Sequence, residues 1–254
     1  MLRYITFLKK IKSSIGVGPD GFPPLFFKKL ASPLAAPLKN LFTLIFGFEA
    51  LPAVWKQALV TPIFKKGKSS RVENYRPISL TCVICKVFES IIKLRLVKYL
   101  NENKYLNSAQ HGFISGHSTC TNLLESLNDW TVNIRNGNFT RVAYVDFARA
   151  FDSICYAKLI FKLSKLGVSG SLLKIFESFL KDRSQKVVID GISSNSVDMS
   201  SGVPQGSVLG PILFIVYINE LSSIFPPLLL LSTLLMMQSC TLKSQLLTTS
   251  IQCS

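Results

Sequence analysis

The feature that most constrains this chain is a short strand that ends in an acid. Residues Val142 to Val145 alternate as a half-buried strand does and deliver Asp146 to its end, after which Ala148 to Phe151 suits a short helical turn. A carboxylate on a strand rim is where a hard divalent cation can sit, because Mg²⁺ takes oxygen ligands and shares them with substrate phosphates. The plainer alternative is that Asp146 ends a strand and caps a helix. What favours the chemical alternative is a second stretch, Ser201-Gly202-Val203-Pro204-Gln205-Gly206-Ser207-Val208-Leu209-Gly210-Pro211. Its glycines let backbone approach a ligand closely around one glutamine, and it leads into an apolar helix expected over Ile212 to Leu221.

Charge narrows the partners. The chain carries 29 Lys and Arg against 14 Asp and Glu, a net +15, which favours a polyanion and salt-sensitive binding, with nucleic acid first. An anionic membrane surface is the lesser rival, since the basic residues are spread along the chain and not gathered on one amphipathic helix. With 254 residues and 48% hydrophobic content the chain can bury one or two cores. Cys82, Cys85, Cys120, Cys155, Cys240 and Cys253 do not read as a disulfide framework without a secretory segment, so an intracellular, reduced protein is expected, in nucleus or cytoplasm. Cys82 and Cys85 could seed a zinc site with His111 and His117, but the gap far exceeds finger spacing, and a packing role is expected. The apolar start from Met1 to Leu8 is too short for a signal peptide, and Ile224 to Met237 is too short to span a bilayer.

Along the chain, Gly16 to Gly21 is rich in turn residues, and the apolar spacing from Leu34 to Leu51 suits a helix stopped by Pro52. A segment beginning at Trp55, with Val60, Ile63 and Phe64 apolar, runs into Lys65-Lys66-Gly67-Lys68 as one arm of a hairpin with a basic tip. Such tip charges are ordinarily just solvated. Cys82 to Leu100 is a strong helix, with Val83, Val87, Ile91, Leu94 and Lys98 at helical intervals on a face expected to pack in the core. Ser118 or Thr119 can cap a helix carrying Leu123, Leu124, Leu127, Trp130 and Ile134 and closing at Gly137, with Trp130 expected in the core. Two helices follow, Tyr156 to Leu166 and Ser171 to Leu180, then a hairpin over Gln185 to Asp190 and Ser196 to Met199.

The Asp146 and Gln205 stretches resemble motifs A and B of the reverse transcriptases of non-long-terminal-repeat (LINE-like, jockey-type) retrotransposons. The resemblance extends back through Tyr75-Arg76-Pro77-Ile78-Ser79-Leu80 and Gln110-His111-Gly112-Phe113 and covers residues 16 to 221. It implies an α+β, partial right-hand polymerase with fingers at about 16–139, an incomplete palm at about 140–221 and no thumb, behind an N-terminal extension at 1–15. Gly18-Pro19-Asp20-Gly21 opens the fingers in that family, so the chain is expected to begin at the polymerase, without the endonuclease that often precedes it. The implied activity is RNA-directed DNA polymerisation with Mg²⁺, deoxynucleoside triphosphates, an RNA template and a DNA primer. A reading of a different class is a non-catalytic, basic RNA-binding protein; a membrane-associated protein ranks below both.

Site residues follow from the resemblance. Asp146 matches the first metal ligand, with the Phe147 carbonyl as a second oxygen. Lys65, or its neighbour Lys66, and Arg76 match the groups that reach the triphosphate, Arg as a rigid fork and Lys as a point charge. Phe151 matches the aromatic beneath the sugar that excludes a 2′-hydroxyl. Asp152 is expected as hydrogen-bonding support, and Gln205 and Gly206 match the loop lining the nascent base pair. Gln110, Gly112 and Phe113 match the template-facing segment, where the family more often has Arg than His117.

Two adjacent aspartates should follow in a Tyr/Phe-Ala-Asp-Asp turn. Asn219-Glu220-Leu221 precedes their place, but residues 222 to 254 contain no Asp or Glu. Only one of the three carboxylate ligands is present, so this chain is expected to be inactive. The apolar tail, 222–254, is expected to be out of frame from about Pro227 and poorly packed. Methionine has the single codon ATG, so codons restarted at the third base of Met236 read Asp then Ala across Met236, Met237 and Gln238. With permitted codons at its neighbours the shifted text becomes Phe-Ala-Asp-Asp-Ala-Lys-Leu-Tyr.

Overall fold

The computed structural model describes residues 2–13, 16–107, 110–114, 116–145, 150–220, 229–233 and 245–251; of residues 2–3, 139–145, 229–233 and 245–251 it gives the backbone alone. Helices α1 (Leu2–Lys9), α2 (Pro24–Lys29) and α3 (Ala31–Phe48) form the first layer. In α3 the buried residues Ala31, Ala35, Leu38, Phe42 and Ile45 recur at helical spacing, and Phe42 meets the rings of Trp55 and Phe88 at 6.3 and 5.1 Å. The helix starts a turn before the Leu34 expected, because Pro33 falls in the first turn, where a missing N–H costs nothing.

The main sheet is built on β1 (Gln57–Phe64), which pairs antiparallel with β2 (Tyr75–Leu80) and parallel with β4 (Arg183–Ile189). Strand β4 also pairs with β5 (Ile192–Ser193) and β6 (Val197–Met199), close to the expected hairpin. A second sheet pairs β3 (Phe139–Val145) with β8 (Gln245–Ile251), and β8 with β7 (Leu229–Thr233). The tail thus reaches β3 through backbone hydrogen bonds, which any sequence can make. Its expected poor packing concerns side chains outside the described residues.

Helix α4 (Val83–Glu102) runs through the core, flanked by α6 (Tyr156–Lys165), α7 (Gly170–Leu180) and α8 (Gly210–Ile218). The buried residues of α4 are Val83, Ile84, Cys85, Val87, Phe88, Glu89, Ile92, Leu96 and Leu100, so the expected face packs inward at Val83 and Val87, is partly buried at Ile91 and turns outward at Leu94, which is 50% exposed. The first turns of α4 are apolar almost all round, so periodicity does not select a face there. Helix α5 (Thr119–Arg135) carries the expected cap, with the Thr121 amide donating to Ser118 Oγ. Its apolar face does not point inward. Leu123, Leu124, Leu127 and Ile134 are exposed, while Asn122 and Ser126 are buried. Among the described residues no helix is long and apolar enough to cross a membrane.

Candidate functional site

The site is best built outward from the loop between β6 and α8. Gly202 has φ +83°, and a Cβ there would lie 2.7 Å from Asp152 Cα and 2.8 Å from the Phe151 carbonyl oxygen. Gly206, at φ +119°, would put a Cβ 2.7 Å from the Ser79 carbonyl oxygen. Both positions need glycine for conformation and for space. The glycines seat the loop between two distant segments. On one side the Gly202 and Val203 amides donate to the carbonyls of Ile154 and Phe151 at 2.9 and 3.0 Å, and Ser201 Oγ donates to the Asp152 carbonyl at 2.8 Å. On the other the Ser79 amide donates to the Gln205 carbonyl at 2.7 Å.

Gln205 carries the chemistry of this loop. Its Nε2 donates to Asp152 Oδ1 at 3.1 Å, the supporting role expected of that aspartate. Its Oε1 is buried without a hydrogen-bond partner, and so is the Nε of Arg76, three residues before Ser79 on β2. Buried polar atoms are nearly always paired, so an acceptor and a donor left without protein partners on two elements that touch through Ser79 stand out as hydrogen-bonding capacity not used within the chain.

Three rings lie beside the loop. Phe151 meets Phe113 edge-on at 6.3 Å and Phe214 of α8 at 4.8 Å. Phe113 sits at φ +60°, a left-handed conformation that costs a bulky residue on the order of 1–3 kcal/mol and collects at functional sites. The structure therefore joins Phe113, Phe151, Gln205, Gly206 and the strand bearing Arg76. Of the other expected template-facing residues, Gln110 is buried and turns inward, Nε2 donating to the Gly112 carbonyl at 3.1 Å, and Gly112 is buried too. Lys65 stands apart, exposed with Lys66, Lys68 and Arg71 at the tip of the β1–β2 hairpin. That tip is shaped by bonds from Asn74 Nδ2 to the Lys68 carbonyl at 2.7 Å and from Tyr75 Oη to the Ser69 carbonyl at 2.9 Å.

Asp146 and Phe147 lie outside the described residues. Among the described residues, which do not include Asp146, no group of three His, Cys, Asp or Glu could hold a metal ion. Cys82 and Cys85 are fully buried free thiols; burial pushes the Cys82 thiol up to about 12 and Cys85 well above its ordinary value. His111 is spoken for by Glu125 and Thr121, each at 3.0 Å. No described geometry supports zinc.

Three residues hold the site together in roles that the motifs do not assign, although Ser79 and Asn219 stand within the quoted stretches. Glu89 accepts two amides at the start of α8, from Val208 and Leu209 at 2.7 and 2.9 Å. Ser79 holds the Gln205 carbonyl. Asn219 ties the end of α8 to the loop before Gln110, its Nδ2 donating to the Tyr105 carbonyl at 2.7 Å and its Oδ1 accepting from the Asn107 amide at 3.0 Å. Glu89 is the one acid among the buried residues of α4, on a helix whose spacing alone does not single out a face.

The family model described as "Reverse transcriptase (RNA-dependent DNA polymerase)" matches residues 63–231. Among similar proteins of Drosophila melanogaster, the RNA-directed DNA polymerase from mobile element jockey is 32% identical over 190 residues, 74% of this chain and 21% of its own length. The probable RNA-directed DNA polymerase from transposon BS is 33% identical over 189 residues, 72% of this chain and 20% of its own length. The chain thus spans about a fifth of the curated relatives it matches. Among solved structures, an apo telomerase from Candida tropicalis, truncated from its C-terminal domain, superposes with a TM-score of 0.52 at 14% identity, over 91% of this chain and 50% of that one. That likeness speaks for the fold alone.

Proposed function

The chain belongs to the reverse transcriptase (RNA-dependent DNA polymerase) family, in the branch carried by non-long-terminal-repeat mobile elements, and from that premise we propose that it is the fingers and incomplete palm of such an element's polymerase. The observation that carries this reading is the loop of Gln205 and Gly206, clasped between Ser79 and Asp152, with Gln205 Oε1 and Arg76 Nε buried and open. Arg76 and the hairpin lysines, Lys65 first, would take the triphosphate of an incoming deoxynucleotide. Gln205 and Gly206 would line the new base pair, Phe151 would crowd a 2′-hydroxyl, and Phe113 would face the template strand.

In the family, divalent ions neutralise the triphosphate and activate the primer hydroxyl. Asp146 and the Phe147 carbonyl are the ligands this chain would bring, and one carboxylate does not hold two ions. The chain's own part therefore stops at binding and positioning, and the polypeptide as it stands is inactive. A second reading, a non-catalytic RNA-binding protein, draws on the net +15 charge and the exposed basic tip at Lys65, Lys66, Lys68 and Arg71. One experiment separates the two. Single-nucleotide extension of a DNA primer on an RNA template is measured beside binding of the same RNA. Base-selective capture of the matched deoxynucleotide without extension is the expected result, and RNA binding indifferent to primer and nucleotide favours the second reading.

A further inference from the structure

The first backbone amides of any α-helix lack partners inside it, and around the start of α8 three successive amides find theirs on side chains. The Val208 and Leu209 amides donate to Glu89 Oε2, and the Gly210 amide donates to Ser207 Oγ at 3.1 Å. Pro211 has no amide hydrogen to place. Glu89 reaches this point from α4, 119 and 120 residues away in sequence. It is 1% exposed, and its other oxygen accepts from the Cys85 thiol at 3.4 Å. No ion pair among the described residues includes it. Arg183, whose charge acts on it through space, spends its own hydrogen bonds on the carbonyls of Phe179 and Trp55.

A buried carboxylate met by amides and no salt bridge is a poor way to gain stability, since an apolar side chain of like volume would fill the space without desolvating a charge. What it achieves is geometry. Two successive amides fixed on one oxygen set the direction in which the chain leaves Gly206, while Ser79 fixes Gln205 just upstream. We propose that Glu89 is a positioning residue, which sets the placement of the Gln205 and Gly206 loop from α4 through the amides of Val208 and Leu209. Its bearing on polymerisation rests on the reading of that loop as the lining of the nucleotide site.

The test uses the whole chain and amide hydrogen exchange resolved to single residues. Glu89→Met keeps volume without an acceptor, and Glu89→Gln keeps an acceptor without charge. In Glu89→Met, exchange at Val208 and Leu209 is expected to quicken by about tenfold while α6 and α7 hold their rates; Glu89→Gln recovers most of the protection. Unchanged exchange at the two amides, equal loss in Met and Gln variants, or a matching rise throughout α6 and α7 overturns the proposal. If Glu89→Met does not fold, the wild-type chain decides: Val208 and Leu209 must exchange far more slowly than Ser200 and Ser201. A second arm adds Mg²⁺ and a matched deoxynucleotide to the chain on an RNA template with a chain-terminated DNA primer. Protection of the loop should deepen in wild type and not in Glu89→Met. No deepening in wild type counts against the nucleotide-site reading, whereas the ligand-free rates judge Glu89.

Discussion

The Ser79 amide donates to the Gln205 carbonyl across 2.7 Å, and the return side of that contact is the Ser79 carbonyl, 2.7 Å from where a Cβ on Gly206 would stand. Strand β2 and the loop are therefore in contact as backbone on backbone, with no flexible side chain to give way. Gly206→Ala should cost on the order of 2 kcal/mol or more, from a positive φ and a steric clash together. Gly137→Ala, also at positive φ but with nothing within 4 Å, should cost about 1 kcal/mol. Chemical denaturation of the two variants checks the order, and equal losses would remove the backbone contact from the account.

Binding of RNA or an RNA–DNA duplex should fall steeply with salt. If six or more phosphates are engaged, affinity drops by about 10³ between roughly 50 and 200 mM salt. Replacing Lys65, Lys66, Lys68 or Arg71 by Ala should each lower the logarithmic salt slope by about one, for every residue that sits on a phosphate. A flat titration by fluorescence anisotropy would sink both proposed functions.

Asp146→Asn should leave the properties of this chain nearly untouched. Members of one catalytic unit are not additive, and a unit already short of two carboxylates has little left to lose. A measurable extension rate in wild type that vanishes in Asp146→Asn would show that the tail supplies ligands after all.

Glu89 gives a pH dependence with a definite sign. Burial pushes its carboxyl above the ordinary value of 4.5, and the Leu209 amide, Arg183 and the Val208 amide pull back only in part. The folded chain then binds the proton more tightly than the unfolded chain, so Glu89's contribution to stability is greatest below 4.5 and is lost as pH rises through the raised value. Glu89→Gln lacks that step. In thermal melts the variant should match or exceed wild type at neutral pH and lose its advantage as pH is lowered toward the ordinary carboxylate range; curves that stay parallel would contradict the assignment.

The gene around Pro227 to Gln238 should carry the missing aspartates in a shifted frame, because Met236, Met237 and the first bases of Gln238 spell Asp-Ala when read from the third base of Met236. Nucleotide sequence of the locus settles this. An in-frame gene whose shifted text lacks an Asp-Asp turn would leave the tail unexplained and strengthen the RNA-binding reading.

Much of the architecture was legible where local chemistry decides the structure. Ser118 as a cap, the glycines of the Gln205 loop and the basic hairpin after Phe64 are written in residue types with few alternative uses. Helix faces were not legible in α4 and α5. In α4 apolar residues surround the axis, so only tertiary contact reveals that Glu89 faces inward. In α5 the polar Asn122 and Ser126 lie buried and Leu124 stands 66% exposed, an inversion that amphipathic reasoning cannot anticipate. Long-range partnerships such as Ser79 with Gln205, or Asn219 with Tyr105, leave no trace in one sequence because backbone groups make the whole of the first bond and half of the second.

Helix α8 is held at its start by Glu89 and at its end by Asn219, with Lys162 Nζ donating to the Tyr217 carbonyl at 2.8 Å as a third tie. A rod pinned at both tips behaves as a ruler. One residue inserted between Gly210 and Ile218 would rotate everything beyond it by about 100° and lengthen the rod by about 1.5 Å. Either the Gln205 loop or the segment leading to Gln110 would lose its alignment. Across descendants of this element, the interval should therefore drift in which apolar residues it uses while keeping their number.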